Sequence, residues 1–411
     1  MLDGIATLPP PRPDATVVAV PAGLGPGLLD TVEAVWAQGG AVLPIDPDLA
    51  PPAREALLDA VRPGALLRTE PGAPARLEPL AAGEPAPAGT ALVVPTSGSS
   101  GTPKGVLLSH RALQASVHAG LARLGARSGD TWLACLPPHH VAGLLVLLRA
   151  RALETEPVLA PGAEPAAVAA ADGTHVALVP TMLARLLDAG VDLARFRAVL
   201  LGGAPASGGL LARARAAGVR VVTSYGMTET AGGCVYDGVP LDGVDARVDE
   251  AGRIHLAGAV LADGYHRDPA GTTAAFCDGW FTTSDRGRWE GGRLVVEGRI
   301  DDAVLSGGET VDVEAVAARL AAHPQVADAA AGGVADPEWG ERVVAWCVPA
   351  DDGLPALADL RDHVAARLGR HAAPRQVVEV AGIPRTALGK VRRDALPAPP
   401  GPRRADRAEG R

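Results

Sequence analysis

Aromatic residues are nearly missing from this chain: they make up 3% of 411 residues, as three Phe, three Tyr and six Trp. Its core must therefore be filled mostly by Leu, Val and Ala. Cysteine is scarce too. Cys135, Cys234, Cys277 and Cys347 lie far apart and none forms a C-x-x-C pair, which argues against a disulfide framework and reads as reduced thiols of a cytoplasmic protein. No run of eighteen apolar residues occurs, so no membrane span is expected. The first residues, MLDGIATLPPPRPD, lack a basic segment followed by a long apolar one, and no signal peptide is expected there. There is no basic excess: 38 Lys and Arg stand against 47 Asp and Glu, a net charge of −9. A general nucleic-acid binder would carry a basic patch or stripe. Anionic substrates would have to be met by local basic residues instead.

What the chain does have is apolar content of 47%, 50 glycines and 37 prolines. That composition is globular, and the length fits two or three domains, or one large domain with a smaller partner. Short apolar strands alternate with helical patterns up to about residue 230. Strands are expected at Ala41–Ile45, Ala91–Val94, Trp132–Leu136, His175–Val179, Ala198–Leu201 and Val219–Thr223. Helices are expected at Leu28–Gln38, Arg54–Val61, His110–Leu124, Met182–Ala189 and Gly208–Ala217. The alternation implies an α/β fold with parallel sheet covered on both faces, and ligands at the carboxyl ends of the strands. Beyond Gly232, turns rich in Gly, Asp and Arg separate short strands, as in a β-rich subdomain. A break at Gly298–Asp302 (GRIDD) precedes a small α+β domain with helices at Val313–Ala322 and Leu357–Leu368. The expected division is residues 1–300, 301–396 and a disordered tail, 397–411, rich in Pro and charge.

The most informative segment is TSGSSGTPKG. Gly98, Gly101 and Gly105 allow a backbone whose N–H groups converge on one point. Thr96, Ser97, Ser99, Ser100 and Thr102 add hydroxyls, and Lys104 adds a positive charge. That is chemistry for cradling a polyphosphate. It is not a Walker loop, because Gly105 rather than Ser or Thr follows the lysine. A flexible Gly/Ser linker is the bland alternative, but linkers rarely end in Pro-Lys-Gly between two apolar runs.

This loop resembles the phosphate loop of the adenylate-forming superfamily of acyl-CoA synthetases, luciferases and adenylation domains. Further segments are similar to motifs of the same superfamily, and the resemblance implies a role for each. The segment Gly39 to Asp46 matches a recurrent strand. In SYGMTET, Tyr225 would flank the adenine with Ser224 and Gly226 beside it, Thr228 would contact the α-phosphate, and Glu229 would hold Mg2+. Gly202, Gly203, Ala204 and Pro205 would line the adenine edge. Asp285, in GWFTTSD with Ser284 in place of the usual glycine, would bind the ribose hydroxyls, and Arg299 would lie near ribose and phosphates. Asp301 would be the hinge of a mobile C-terminal lid domain, and Gly307 and Gly308 a loop that swings toward the coenzyme A thiol. Lys390, in IPRTALGKVRR, would stabilise charge during adenylation. The implied cofactors are ATP, Mg2+ and coenzyme A. The implied activity is an AMP-forming acid–thiol ligase, with a large N-terminal αβ-layered domain and a small α+β lid.

Two segments bear on the acyl substrate. In LPPHHVAGLLVLLRA no aspartate is present to bind an α-ammonium, so an amino acid is disfavoured. His140 faces the acyl pocket by resemblance; no third ligand at regular spacing supports a metal pair with His139. Ala231, Gly232 and Gly233 would leave room for a flat ring. In so short a chain these features resemble the o-succinylbenzoate–CoA ligases of menaquinone biosynthesis, in their compact actinobacterial form. A distal carboxylate would want a basic partner, with Arg149 and Arg151 as candidates. Another aryl- or acyl-CoA ligase, or a stand-alone adenylation enzyme loading a carrier protein, is the alternative. A non-catalytic ATP- or acyl-binding relative is disfavoured by the intact Lys104, Glu229, Asp285 and Lys390. Expected partners are a small carboxylate, an aromatic keto-acid first, and coenzyme A; a homodimer is left open.

Overall fold

The computed structural model describes residues 14–68, 76–81, 83–97, 103–300, 303–306, 309–336, 339–350, 353–386, 389 and 391–400. These fall into two compact units. One runs to Arg247 and resumes over His255–Thr283; the other takes Val248–Ile254 and everything from Ser284 onward. The division cuts the strand Trp280–Glu290 between Thr283 and Ser284, upstream of the GRIDD segment.

The first unit is built on two seven-stranded sheets. In one, the order is Gly264–His266, Pro103–Ser109, Thr90–Ser97, Ala41–Ile45, Val17–Pro21, Ala65–Arg68 and Arg76–Pro79. The pairs from Thr90–Ser97 through Ala65–Arg68 are parallel, and those outside them antiparallel. The other sheet is ordered Val158–Leu159, Trp132–Ala134, His175–Leu178, Ala198–Leu201, Val221–Met227, Gly232–Tyr236 and Val239–Pro240. It is parallel as far as Val221–Met227 and antiparallel after it. All four side chains of Ala198–Leu201 are buried, as are those of Val17–Val20. These strands read as continuous apolar runs because both faces are covered.

The helix His110–Leu124 begins where Ser109 Oγ accepts from Ala112 N and stops at Gly125 in the left-handed region, φ 69°. Two strands depart from the sequence expectation. Pro103–Ser109 is a paired strand, with Thr96 opposite Lys104 and Ser97 opposite Pro103. The two ends of the expected loop, Thr96–Ser97 and Pro103–Gly105, are thus arms of a ladder. The other strand starts at Val221, two residues later than expected, and runs through the SYGM segment to Met227.

In the second unit, Val326–Asp336 and Gly340–Pro349 form a long antiparallel pair. It is extended by Ala303–Ser306 with Glu309–Asp312, and by Gln376–Glu379. Val313–Ala321 and Leu357–Leu368 pack on it through Val316, Leu320, Leu360 and Val364. Asp312 Oδ1 accepts from the N–H groups of Glu314 and Ala315 and so starts the first of these helices. Pro397–Pro400, at the head of the expected tail, are held in place: Trp346 Nε1 donates to Pro397 O at 2.9 Å and Gln376 Nε2 to Pro400 O at 3.0 Å. No helix among the described residues is long and apolar enough to cross a membrane.

Candidate active site

The first unit carries most of the expected nucleotide residues at strand ends. Gly202 follows the strand Ala198–Leu201, and a side chain there would come within 3.2 Å of the Ser224 carbonyl. Gly203 takes φ 80°. The turn Gly202–Pro205 is therefore packed against the SYGM strand, and a side chain at Gly202 would require that strand to give way. Between Tyr225 and Gly226 the ladder to Gly232–Tyr236 slips by a bulge, which re-aims the side chains beyond it. Thr228–Thr230 form one tight turn closed by Thr230: its Oγ1 accepts from Met227 N at 2.9 Å and donates to Gly232 O at 2.7 Å.

Glu229 sits on that turn. Its Oε1 accepts from the Tyr265 hydroxyl at 3.1 Å, and its carbonyl accepts from Ala262 N at 2.8 Å. Lys104 Nζ lies 3.4 Å from Asp268 Oδ2 and 4.9 Å from the centre of the Tyr265 ring. Hydrogen bonding from Gly271 N first, then Lys104, holds the Asp268 carboxyl below its ordinary value. Burial first and Glu229 second push the Tyr265 phenol up. Tyr265 and Asp268 were not singled out from the sequence.

His140 is the residue before the helix Val141–Ala152; its carbonyl accepts from Gly143 and Leu144 N–H. The rings of His139 and His140 are 4.4 Å apart. Burial, with His139 adding to it, lowers the His140 imidazole to about 4. His139 is lowered as well, by burial, against the pull of Asp46 at 3.8 Å. Both rings are neutral at pH 7, so the His139–Asp46 approach is no ion pair there. The native state therefore resists protons that the unfolded chain accepts from pH 6.5 downward. Its contribution to stability is full above pH 6.5 and is lost as pH falls toward 4, by about 3 kcal/mol for His140. We expect the melting temperature of wild type to fall over that window more steeply than that of His140→Gln; parallel curves would contradict the assignment.

Ala231, Gly232 and Gly233 do not form an open floor. Ala231 is fully buried beneath Ser116 Oγ, which donates to its carbonyl at 2.7 Å. A side chain at Gly232 would strike Leu145, and one at Gly233 would strike Ser224 Oγ. These small residues serve close packing of the strand against its neighbours.

The two arginine candidates separate. Arg151 lies on the surface, bonded to Asp30 at 2.7 Å and Glu33 at 2.9 Å. Arg149 is 2% exposed. Its Nη2 donates to the Tyr236 hydroxyl at 3.2 Å and its guanidinium lies 5.2 Å over the Trp132 ring. Its Nε has no hydrogen-bond partner, and no carboxylate among the described residues pairs with it. Gly120 makes room for it: a side chain there would come within 3.1 Å of Tyr236 Oη and 3.5 Å of Arg149 Nη2.

In the second unit, Asp285 and Arg299 are cross-strand partners in the hairpin of Trp280–Glu290 and Arg293–Arg299. Asp285 is thus within a strand rather than on a turn. Ser306 pairs with Glu309 across an antiparallel ladder. Arg385 and Val391 are joined by an antiparallel bridge. Arg385 also donates to Asp328 Oδ1 at 2.7 Å and to Gly389 O at 3.0 Å. Lys390 itself, Asp301, Gly307, Gly308, and Gly98, Ser99, Ser100, Gly101 and Thr102 lie outside the described residues, as does the side chain of Ser97.

The model of the AMP-binding enzyme family matches residues 71–271, and that of the AMP-binding enzyme C-terminal domain matches residues 315–390. A probable 2-succinylbenzoate–CoA ligase of Mycobacterium tuberculosis is 43% identical over 362 residues, which is 84% of this chain and 93% of the relative. The chain belongs to the AMP-binding enzyme family. Another member, a 2-succinylbenzoate–CoA ligase of Geobacillus kaustophilus, is 34% identical over 336 residues, 74% of this chain and 68% of that one. Among solved AMP-binding enzymes, the o-succinylbenzoate CoA synthetase from Bacillus subtilis, in complex with the acyl-adenylate intermediate, matches with a TM-score of 0.82 at 26% identity. That match covers 93% of this chain and 88% of the other. The mixed α/β architecture, with its large N-terminal and small C-terminal parts, is that of the AMP-binding enzymes.

Proposed function

We propose that the protein is an ATP-dependent o-succinylbenzoate–CoA ligase working through an acyl-adenylate. The observation that carries the substrate is Arg149. A guanidinium taken out of water without a carboxylate partner is costly. A substrate bearing a second carboxylate supplies the missing counter-ion, and the named relatives act on such a substrate by their names.

In the first half-reaction a carboxylate oxygen of the substrate attacks the α-phosphorus of ATP in line, the bond to the β-phosphate bridge breaks, and pyrophosphate leaves. The work of the protein is positioning and charge stabilisation. Lys104 and the Thr96–Thr102 donors take the phosphates, Thr228 the α-phosphate, and Tyr225 with Gly202–Pro205 the adenine. Asp285 takes the ribose hydroxyls with Arg299 beside it, and Lys390 faces the developing charge. Magnesium would neutralise phosphate charge. Its donor chemistry fits Glu229, a hard oxygen ligand, and no three His, Cys, Asp or Glu side chains among the described residues gather to hold a metal alone. Phosphate oxygens and water would complete its shell.

In the second half-reaction the lid turns at Asp301, Lys390 withdraws and the Gly307–Gly308 loop approaches. The thiol of coenzyme A attacks the acyl carbon, its proton passes to solvent, and AMP leaves. Splitting the reaction around a conformational step separates two geometries that one site could not hold at once. His140, neutral at working pH, donates a hydrogen bond on the acyl side and adds no charge.

The test is ATP- and coenzyme A-dependent AMP release with a panel of carboxylates. We expect kcat/KM for o-succinylbenzoate to exceed that for benzoate by at least about tenfold, the worth of one charged hydrogen bond. A preference for benzoate, a fatty acid or an amino acid would refute the substrate and leave adenylation standing.

A further inference from the structure

Tyr265 joins the two charged side chains of the nucleotide region in the first unit. Its hydroxyl donates to Glu229 Oε1 at 3.1 Å, and its ring carries Lys104 Nζ at 4.9 Å from the centroid. It is held from several directions. The strand Gly264–His266 pairs with Pro103–Ser109, placing Tyr265 opposite Val106 and His266 opposite Gly105, one residue from Lys104. Tyr265 N donates to Thr272 Oγ1 at 2.9 Å, and His266 Nε2 lies 3.0 Å from Val61 O. Three residues before the tyrosine, Ala262 N donates to the Glu229 carbonyl. The backbones of donor and acceptor are thereby fixed to each other before any ligand arrives.

The terminal torsion of a glutamate is broad, so an unsupported carboxylate samples many orientations. A phenol on one oxygen selects among them, as partners of metal-binding carboxylates commonly do. The Tyr265 hydroxyl has one proton to give and donates it to Glu229 Oε1 at 3.1 Å. Lys104 and Glu229 carry opposite charges and would gain by direct pairing, which would neutralise both before nucleotide arrives. The ring gives the lysine an apolar face, and Asp268 gives it a second partner. That pair is more than a third exposed on both sides, 37% and 35%, so it is weak and readily exchanged for phosphate.

We propose that Tyr265 is a positioning residue for nucleotide activation: its hydroxyl orients the Glu229 carboxylate toward magnesium, and its ring keeps Lys104 off that carboxylate until phosphate takes it. The inference rests on the reading of this site as one for magnesium and ATP.

Calorimetric titration of wild type and Tyr265→Phe with ATP at graded magnesium, and with AMP without metal, tests it. Phenylalanine keeps the ring beneath Lys104 and removes only the donor. The magnesium concentration for half-maximal ATP binding should rise about tenfold, while metal-free AMP affinity stays within about twofold. In a Glu229→Gln background the same Tyr265→Phe change should add no further magnesium requirement, because the two side chains act as one unit. An unchanged magnesium requirement overturns the proposal. So does a parallel loss of AMP and ATP binding, the sign of a purely structural role. Wild-type protein that fails to bind ATP with magnesium would refute the reading of the site instead.

Discussion

Lys390→Ala is expected to lower the rate of acyl-adenylate formation by ~10²–10³, the cost of removing one charge-stabilising donor from a phosphoryl-type transition state. The same variant should convert presupplied o-succinylbenzoyl-adenylate and coenzyme A to thioester at close to the wild-type rate. The asymmetry comes from where charge develops. Attack on the α-phosphorus builds negative charge on phosphate oxygens, whereas attack of a thiol on the mixed anhydride builds it at the acyl carbon's oxygen and releases it on AMP. A cation on the phosphate side serves the first step. Near Lys390 in the sequence, Arg385 is bridged to Val391 and donates to Asp328 Oδ1. Separate stopped-flow assays of the two half-reactions measure the split. Equal loss in both would remove the assignment of Lys390 to adenylation and the two-state lid with it.

The second large effect is expected at Arg149. Arg149→Gln keeps a polar group near Tyr236 and removes the charge. For o-succinylbenzoate, kcat/KM should fall ~10–100-fold, the range for a lost charged hydrogen bond at a buried site. For benzoate, which has no second carboxylate, the change should be within about threefold, since nothing is left unpaired. Stability should move the other way or not at all. A buried guanidinium with an unbonded Nε costs the ligand-free protein free energy, so its removal should not lower the melting temperature. A variant that loses both substrates in proportion, or melts well below wild type, would show Arg149 to be a structural residue.

Much of the fold was legible because local signals agreed. His110–Leu124, Ala198–Leu201 and Leu357–Leu368 have the bounds expected from their apolar patterns. Ser109 and Gly125 cap the first of them, as helix ends commonly are. What was hidden depended on pairing between distant segments. Pro103–Ser109 reads as the end of a glycine-rich loop; it is a strand because Thr90–Ser97 on one side and Gly264–His266 on the other pair with it. The glycines of Ala231–Gly233 read as empty space, yet Leu145 and Ser224 occupy it.

The site shows the same division. Asp285 and Arg299 were named from separate motifs and prove to be cross-strand partners. Arg149 and Arg151 sit two positions apart on an almost uniformly apolar helix. Two helical positions lie on opposite sides, so one is buried beside Trp132 and the other bonds surface carboxylates. No periodicity in such a helix says which. Tyr265 lies 36 residues from Glu229 and belongs to no short motif. One signal was present: the chain has three tyrosines, of which Tyr265 donates to Glu229 and Tyr236 accepts from the buried Arg149. In a chain that otherwise avoids aromatics, each marks a place where a ring with a hydroxyl is needed.

The central claim is that this chain makes an acyl-adenylate from o-succinylbenzoate. A single-turnover reaction with excess enzyme, ATP, magnesium and o-succinylbenzoate, without coenzyme A, quenched and read by mass spectrometry, tests it most directly. The account predicts o-succinylbenzoyl-adenylate and pyrophosphate, then o-succinylbenzoyl-CoA and AMP once coenzyme A is added. Release of ADP and phosphate, or an adenylate formed no faster from o-succinylbenzoate than from benzoate, would contradict it.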